Sequence, residues 1–140
     1  MAFDFGSHRI GVAIAIGELV LPRSAIAAEN GLHEASEIVN RDGAQRVFVG
    51  LPLSLSGDEG ASAVAAAHFA AELAAKIKAP VFLVDERYTT TLAESSLRQL
   101  PLTGKQRRQI VDSAAAAELL RFILNAESKN PNQQWRPVVV

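Results

Sequence analysis

Apolar positions come in short, mostly extended runs at the start of the chain and at helical spacing further on. Phe3 to Gly6 is a short apolar segment carrying one acid, and Gly6-Ser7-His8 reads as a turn. Arg9 to Ile16 (RIGVAIAI) then predicts a strand, so the two segments form an N-terminal hairpin. Pro22 breaks the pattern, and Arg23 to Ala27 predicts a third strand. Asn30 is placed to cap a helix from about Leu32 to Asn40, ended by Gly43. Arg46 to Leu51 reads as a buried strand that stops at Pro52. After the polar turn Ser54 to Gly60 comes an alanine-rich helix, roughly Ser62 to Lys78, with Phe69, Leu73 and Ile77 on one face. Val81 to Glu86 predicts a strand, Thr89 to Leu100 a helix, and about Lys105 to Asn125 a last long helix.

The order β-β-β-α-β-α-β-α-α, with antiparallel strands first and βα crossovers after them, predicts an α/β fold with a mixed sheet flanked by helices. One domain is expected over 1–127, followed by a polar tail over 128–140. Trp135 and Val138 to Val140 either dock back or do not.

Composition narrows the function. At 140 residues, 49% hydrophobic and 21% charged, the chain has the make-up of one ordinary folded domain. Its net charge of -1 excludes a uniformly basic binder but not a local basic patch. With no cysteine, disulfides, thiolate zinc sites, Fe–S clusters and cysteine nucleophiles are excluded. No signal peptide and no membrane-length apolar run is visible, so the expectation is the cytoplasm and no membrane contact.

Acids set in apolar surroundings are the informative ones, because a carboxylate is ordinarily solvated. Asp4 lies between Phe3 and Phe5, so strand alternation points it away from both. The plain alternative is an anchor for the turn at Gly6. Asp85 and Glu86 end a strand on opposite faces. One of them is the site residue and the other a cap or ion-pair partner; position at the strand's carboxyl end favours Glu86 without excluding Asp85. Asp112, wound as a helix, falls within about 60° of Ala115, Ala116, Leu119 and Ile123. That puts it on the core-facing stripe, where a carboxylate must be paired or metal-bound. The competing account is a salt bridge to Arg87 or Arg9. Three carboxylates converging from two strands and a helix are hard oxygen ligands suited to Mg²⁺ or Mn²⁺. Such an arrangement supports two-metal cleavage of a phosphodiester.

The segments that carry these acids resemble a known family. Asp4-Phe5-Gly6-Ser7-His8-Arg9-Ile10-Gly11-Val12-Ala13 is similar to the opening motif of the YqgF family, also called RuvX. Gly50-Leu51-Pro52-Leu53 with Gly57, Asp85-Glu86-Arg87-Tyr88-Thr89-Thr90 and Val111-Asp112-Ser113-Ala114-Ala115 resemble its second, third and fourth motifs. All four stand in family order, and together they cover Asp4 to about Leu124. The resemblance implies a RuvC-like, RNase H-like fold and a metal-dependent nuclease. Its substrate would be precursor 16S rRNA at the 5′ end or a branched DNA junction. It also implies Asp4, Glu86 and Asp112 as the catalytic and metal-binding acids, which selects Glu86 over Asp85. His8 stands where the family has Lys or Arg, and Ser7 where it has Thr. Ala115 and Ala116 follow Asp112 where RuvC-type resolvases carry a fourth acid, which implies a sparser metal site.

On the substrate side, Arg9, Arg87 and the run Lys105, Arg107 and Arg108 are candidates for phosphate contacts; the alternative for the run is a solvated face. Tyr88 and Trp135 form no aromatic array, so base stacking is not expected. The expected partner is nucleic acid. Paired cuts at a four-way junction require a homodimer, although no dimer face is legible. Two other function classes rank lower. An actin-like nucleotide-binding module needs two such halves, and a non-catalytic nucleic-acid adaptor has no use for three retained acids.

Overall fold

Strand alternation sorts the apolar side chains onto two faces of one sheet, and each face recruits its own helices. The computed structural model describes residues 1–52, 60–87, 104 and 112–139. Three strands come first and strands and helices alternate after them: β1 (Ala2–Phe5), β2 (Arg9–Ile16), β3 (Leu19–Ala27), α1 (Gly31–Asp42), β4 (Val47–Leu51), α2 (Ala61–Lys76) and β5 (Val81–Asp85). Then come α3 (Ala114–Lys129) and a short β6 (Arg136–Pro137). A 3-10 turn, Ala28–Asn30, leads into α1. The helix expected over Thr89 to Leu100 and the first part of the last one lie outside the described residues.

The sheet runs β3-β2-β1-β4-β5-β6. β1 pairs antiparallel with β2 and parallel with β4, β4 parallel with β5, and β2 antiparallel with β3. This is the mixed α/β sheet that the element order predicts. Phe3, Ile10, Val12, Val49 and Leu83 point to one face, where Val39 of α1 and Phe69 and Leu73 of α2 pack on them. Ala2, Ala13, Phe48 and Val84 point to the other, beneath Leu119, Leu120 and Ile123 of α3. Burying side chains such as Phe3 and Leu73 contributes roughly 1.5–3 kcal/mol each.

Two boundaries differ from the sequence pattern for physical reasons. β3 begins at Leu19, so Pro22 lies inside the strand, opposite Ala13. β3 is an edge strand with β2 as its one sheet neighbour, and an edge tolerates a residue that cannot donate to a ladder. At the other end of the chain, β6 pairs with β5, Leu83 opposite Arg136. Trp135 packs edge-on against Phe48 and Phe122, and its indole N–H donates to Glu127 at 3.1 Å. Glu127 also receives both guanidinium nitrogens of Arg46, at 2.6 and 2.9 Å. Trp135→Ala removes this aromatic contact, and a loss of about 2 kcal/mol is expected in urea unfolding. An unchanged midpoint would show that the tail adds nothing. No helix among the described residues is long and apolar enough to cross a membrane.

Candidate active site

Phe3 and Phe5 set the direction of Asp4. Both rings pack on Phe69 of α2, Phe3 edge-on at 6.0 Å and Phe5 stacked at 5.0 Å. With its two neighbours held on the α2 face, Asp4 projects to the α3 face. Glu86 follows the last residue of β5, and its N–H still bonds to the Leu51 carbonyl of β4 at 3.4 Å. It therefore continues the face of Phe82 and Val84, toward α3.

β1 and β5 are not neighbours, because β4 runs between them. Two strand spacings, about 10 Å, separate their backbones. The two carboxyls nevertheless meet in a hydrogen bond. Gly50 of β4 makes room: a Cβ there would lie 2.4 Å from Glu86 Oε2 and 2.9 Å from its Cδ. Burial, then the charge of Asp4 and the shared hydrogen bond, push Glu86 up to about 8. Burial also raises Asp4; the bond from Glu86 opposes that shift, and the nearby charge of Asp112 adds to it. At neutral pH Glu86 thus stays protonated beside Asp4.

Asp112 does not occupy the position expected from helical winding. It stands in the turn before α3, not on the core-facing stripe of a helix, and its side chain is 43% exposed. The buried residue is its neighbour Ser113. The cause is a contact with β2. Gly11, directly opposite Asp4 in the β1–β2 ladder, has no side chain, and a Cβ there would lie 2.0 Å from the Asp112 carbonyl oxygen. The chain reaches the sheet at that point and α3 starts from it. Asp112 Oδ2 lies 3.8 Å from Arg9 Nε. Both side chains are well exposed, so this pair contributes little to stability.

Asp85 has a different partner. It accepts from the Arg87 backbone N–H at 3.0 Å and from Arg87 Nε at 2.7 Å. Burial alone would raise its carboxyl, but these bonds and the guanidinium charge outweigh it and hold the group below its ordinary range. The strand-end acids are thus divided, Glu86 to Asp4 and Asp85 to Arg87. Among the other candidates, Arg9 is 61% exposed beside Asp112. Lys105, Arg107 and Arg108 lie outside the described residues, as do Tyr88 and the three threonines after it. The structure brings Asp4 and Glu86 together, with Asp112 close by. Among the described residues, no group of three or more His, Cys, Asp or Glu stands close enough to hold a metal ion.

Sequence reasoning missed the residues that make this convergence possible: Gly11, Gly50 and Ser113. A glycine inside a strand is itself a signal of close approach by another group, and two of the three carried it.

The family model described as RuvX: Holliday junction resolvase matches residues 1–126. The chain belongs to the RuvX family. RuvX is a nuclease family, and on that ground the chain is an enzyme. A curated relative from Chloroflexus aurantiacus (strain ATCC 29366 / DSM 635 / J-10-fl), named "Putative pre-16S rRNA nuclease", is 36% identical over 138 residues, covering 95% of this chain and 90% of that one. A relative of the same name from Leifsonia xyli subsp. xyli is 38% identical, covering 99% and 92%. Among solved structures, T. thermophilus RuvC in complex with Holliday junction substrate superposes with a TM-score of 0.60 at 16% identity, covering 96% of each chain. That likeness shows the RuvC-type, RNase H-like fold expected for a RuvX protein.

Proposed function

We propose that this RuvX-family chain hydrolyses phosphodiester bonds at the 5′ end of precursor 16S rRNA. In this reading Asp4, Glu86 and Asp112 form its carboxylate centre and Mg²⁺ or Mn²⁺ is its cofactor. The observation that carries it is the half-buried Asp4–Glu86 pair, held over Gly50 at the carboxyl ends of the strands. Two partly desolvated carboxyls, with Glu86 still protonated, are costly to keep together, and a hard divalent cation suits the same oxygens once that proton leaves. Bound there, such a cation would activate water and stabilise the leaving oxygen.

Each residue has a role in this reading. Asp4 and Glu86 supply the fixed oxygen donors, and neither is the nucleophile. Asp112 is the third donor, with Arg9 beside it to take a backbone phosphate. Arg9, Arg87, Lys105, Arg107 and Arg108 hold the phosphodiester chain, Arg87 with its charge shared by Asp85. Neutralising Lys105, Arg107 and Arg108 together is expected to weaken RNA binding and to flatten its dependence on salt. A filter-binding series with an unchanged salt slope would make the run a solvated face.

Precursor rRNA ranks first because the relatives named for it match at 36–38% identity over nearly the whole chain. Branched DNA is the second reading, favoured by the family description. The test is cleavage of precursor 16S rRNA ends, single-stranded RNA and a four-way DNA junction side by side in Mg²⁺ and in Mn²⁺, by wild type and Asp112→Asn. Metal-dependent cutting of the precursor end, lost in the variant, is expected. Preference for the junction would move the assignment to the resolvase reading. No cutting of any substrate by a folded wild-type protein would overturn both.

A further inference from the structure

Ser113 is the first residue flanking α3, a position where a serine hydroxyl ordinarily caps its own helix. Here it makes no such bond. The hydroxyl instead accepts the N–H of Val12, 2.9 Å away and 101 positions distant in the chain. Ser113 is fully buried, so that bond is made away from water.

The sheet explains why Val12 offers its N–H. The β2–β3 ladder shifts between Ile10, opposite Ile26, and Val12, opposite Arg23. Three steps along β3 therefore span two along β2, which is a β-bulge, and bulges interrupt ladder pairing. The Ser113 hydroxyl supplies the Val12 N–H with a partner beside that bulge. Gly11, adjacent in β2, lets the backbone of Asp112 and Ser113 come down onto the strand: a Cβ at Gly11 would also lie 3.1 Å from Ser113 Cα. Gly11 is in turn the ladder partner of Asp4. The start of α3 is thus tied to the sheet next to the residue that pairs with Asp4.

We propose that Ser113 is a positioning residue of the active site, whose hydroxyl ties the start of α3 to β2 and so holds the Asp112 carboxylate beside Asp4 as a cation donor. This inference rests on the carboxylate centre proposed above. The cost is a helix start without its side-chain cap, and what is gained is the placement of Asp112. A purely structural serine would affect stability without being coupled to Asp112.

The experiment is Mn²⁺ titration by calorimetry of wild type, Ser113→Ala, Asp112→Asn and the double variant, with hydrogen exchange at the Val12 amide in the metal-free proteins. Each single variant is expected to bind Mn²⁺ about 10-fold more weakly, the usual scale for losing a group that orients a ligand. The double variant is expected to be no worse than either single one, because both act through the same carboxylate. Exchange at Val12 should accelerate in Ser113→Ala. Ser113→Cys keeps the size with a poor acceptor, and it should reproduce the loss of affinity if the alanine variant does not fold. Wild-type affinity in Ser113→Ala or Ser113→Cys, or losses that multiply in the double variant, overturns the proposal. A wild type that binds no Mn²⁺ overturns the carboxylate centre itself, a result distinct from those two.

Discussion

Gly11→Ala is expected to destabilise the protein by roughly 1–3 kcal/mol, the range for forcing an atom into a packed interior. Its methyl would lie 2.0 Å from a backbone oxygen, that of Asp112, and a backbone cannot step aside as a side chain does. The start of α3 must then lift from β2, taking Asp112 and the Ser113–Val12 bond with it. Cleavage should fall with stability. Gly50→Ala should behave differently. There the clash is with the carboxyl of Glu86, the far end of a flexible side chain, and more loosely with Leu119 at 3.2 Å. The unfolding midpoint should move little while Glu86 is displaced from Asp4, so cleavage is lost from a protein of nearly normal stability. Urea titrations and cleavage rates of the two variants separate these outcomes. Equal destabilisation with retained cutting in both would show that the glycines do not make room for the site.

Glu86→Gln is expected to make the metal-free protein more stable at alkaline pH while abolishing cleavage. The folded chain holds the Glu86 proton up to about pH 8, whereas an ordinary glutamate lets it go near 4.5. A folded state that binds a proton more tightly than the unfolded one is favoured at low pH. The contribution is therefore complete below about pH 4.5, declines as pH rises toward 8, and is absent above. Glutamine keeps a donor for Asp4 and does not ionise, so the decline should be missing from its stability profile. At pH 8.5 the Tm is expected to rise above that of metal-free wild type, and at pH 4.5 the difference should be much smaller. Parallel Tm profiles for the two proteins across pH 4.5–8.5 would show that Glu86 is not held in its protonated form.

The parts of this site that depend on local pattern were legible in the sequence. Alternation alone turned Asp4 away from Phe3 and Phe5, and it put Glu86 and Asp85 on opposite faces; the structure has both arrangements. The strand Arg9–Ile16 has the limits its apolar run predicts. What depended on distant contacts was not legible. Pro22 reads as a break until β3 is known to be an edge. Asp112 reads as a core-facing helical residue until Gly11, about a hundred positions earlier, is seen to receive the chain just before the helix. No local property of positions 105–125 contains that information. Nor does any local pattern reveal that two acids on non-adjacent strands meet above a glycine of the strand between them.

The proposed function requires that Glu86 give up its proton beside Asp4 for a divalent cation. Calorimetric titration of Mn²⁺ at pH 7, in two buffers of different ionisation enthalpy, tests it most directly by counting protons. Binding is expected to release about one proton, because the group held up to about 8 must ionise to become a ligand. Asp4→Asn and Glu86→Gln are each expected to weaken that binding at least about 10-fold. Mn²⁺ binding with no proton released, or with an affinity indifferent to both substitutions, would contradict it.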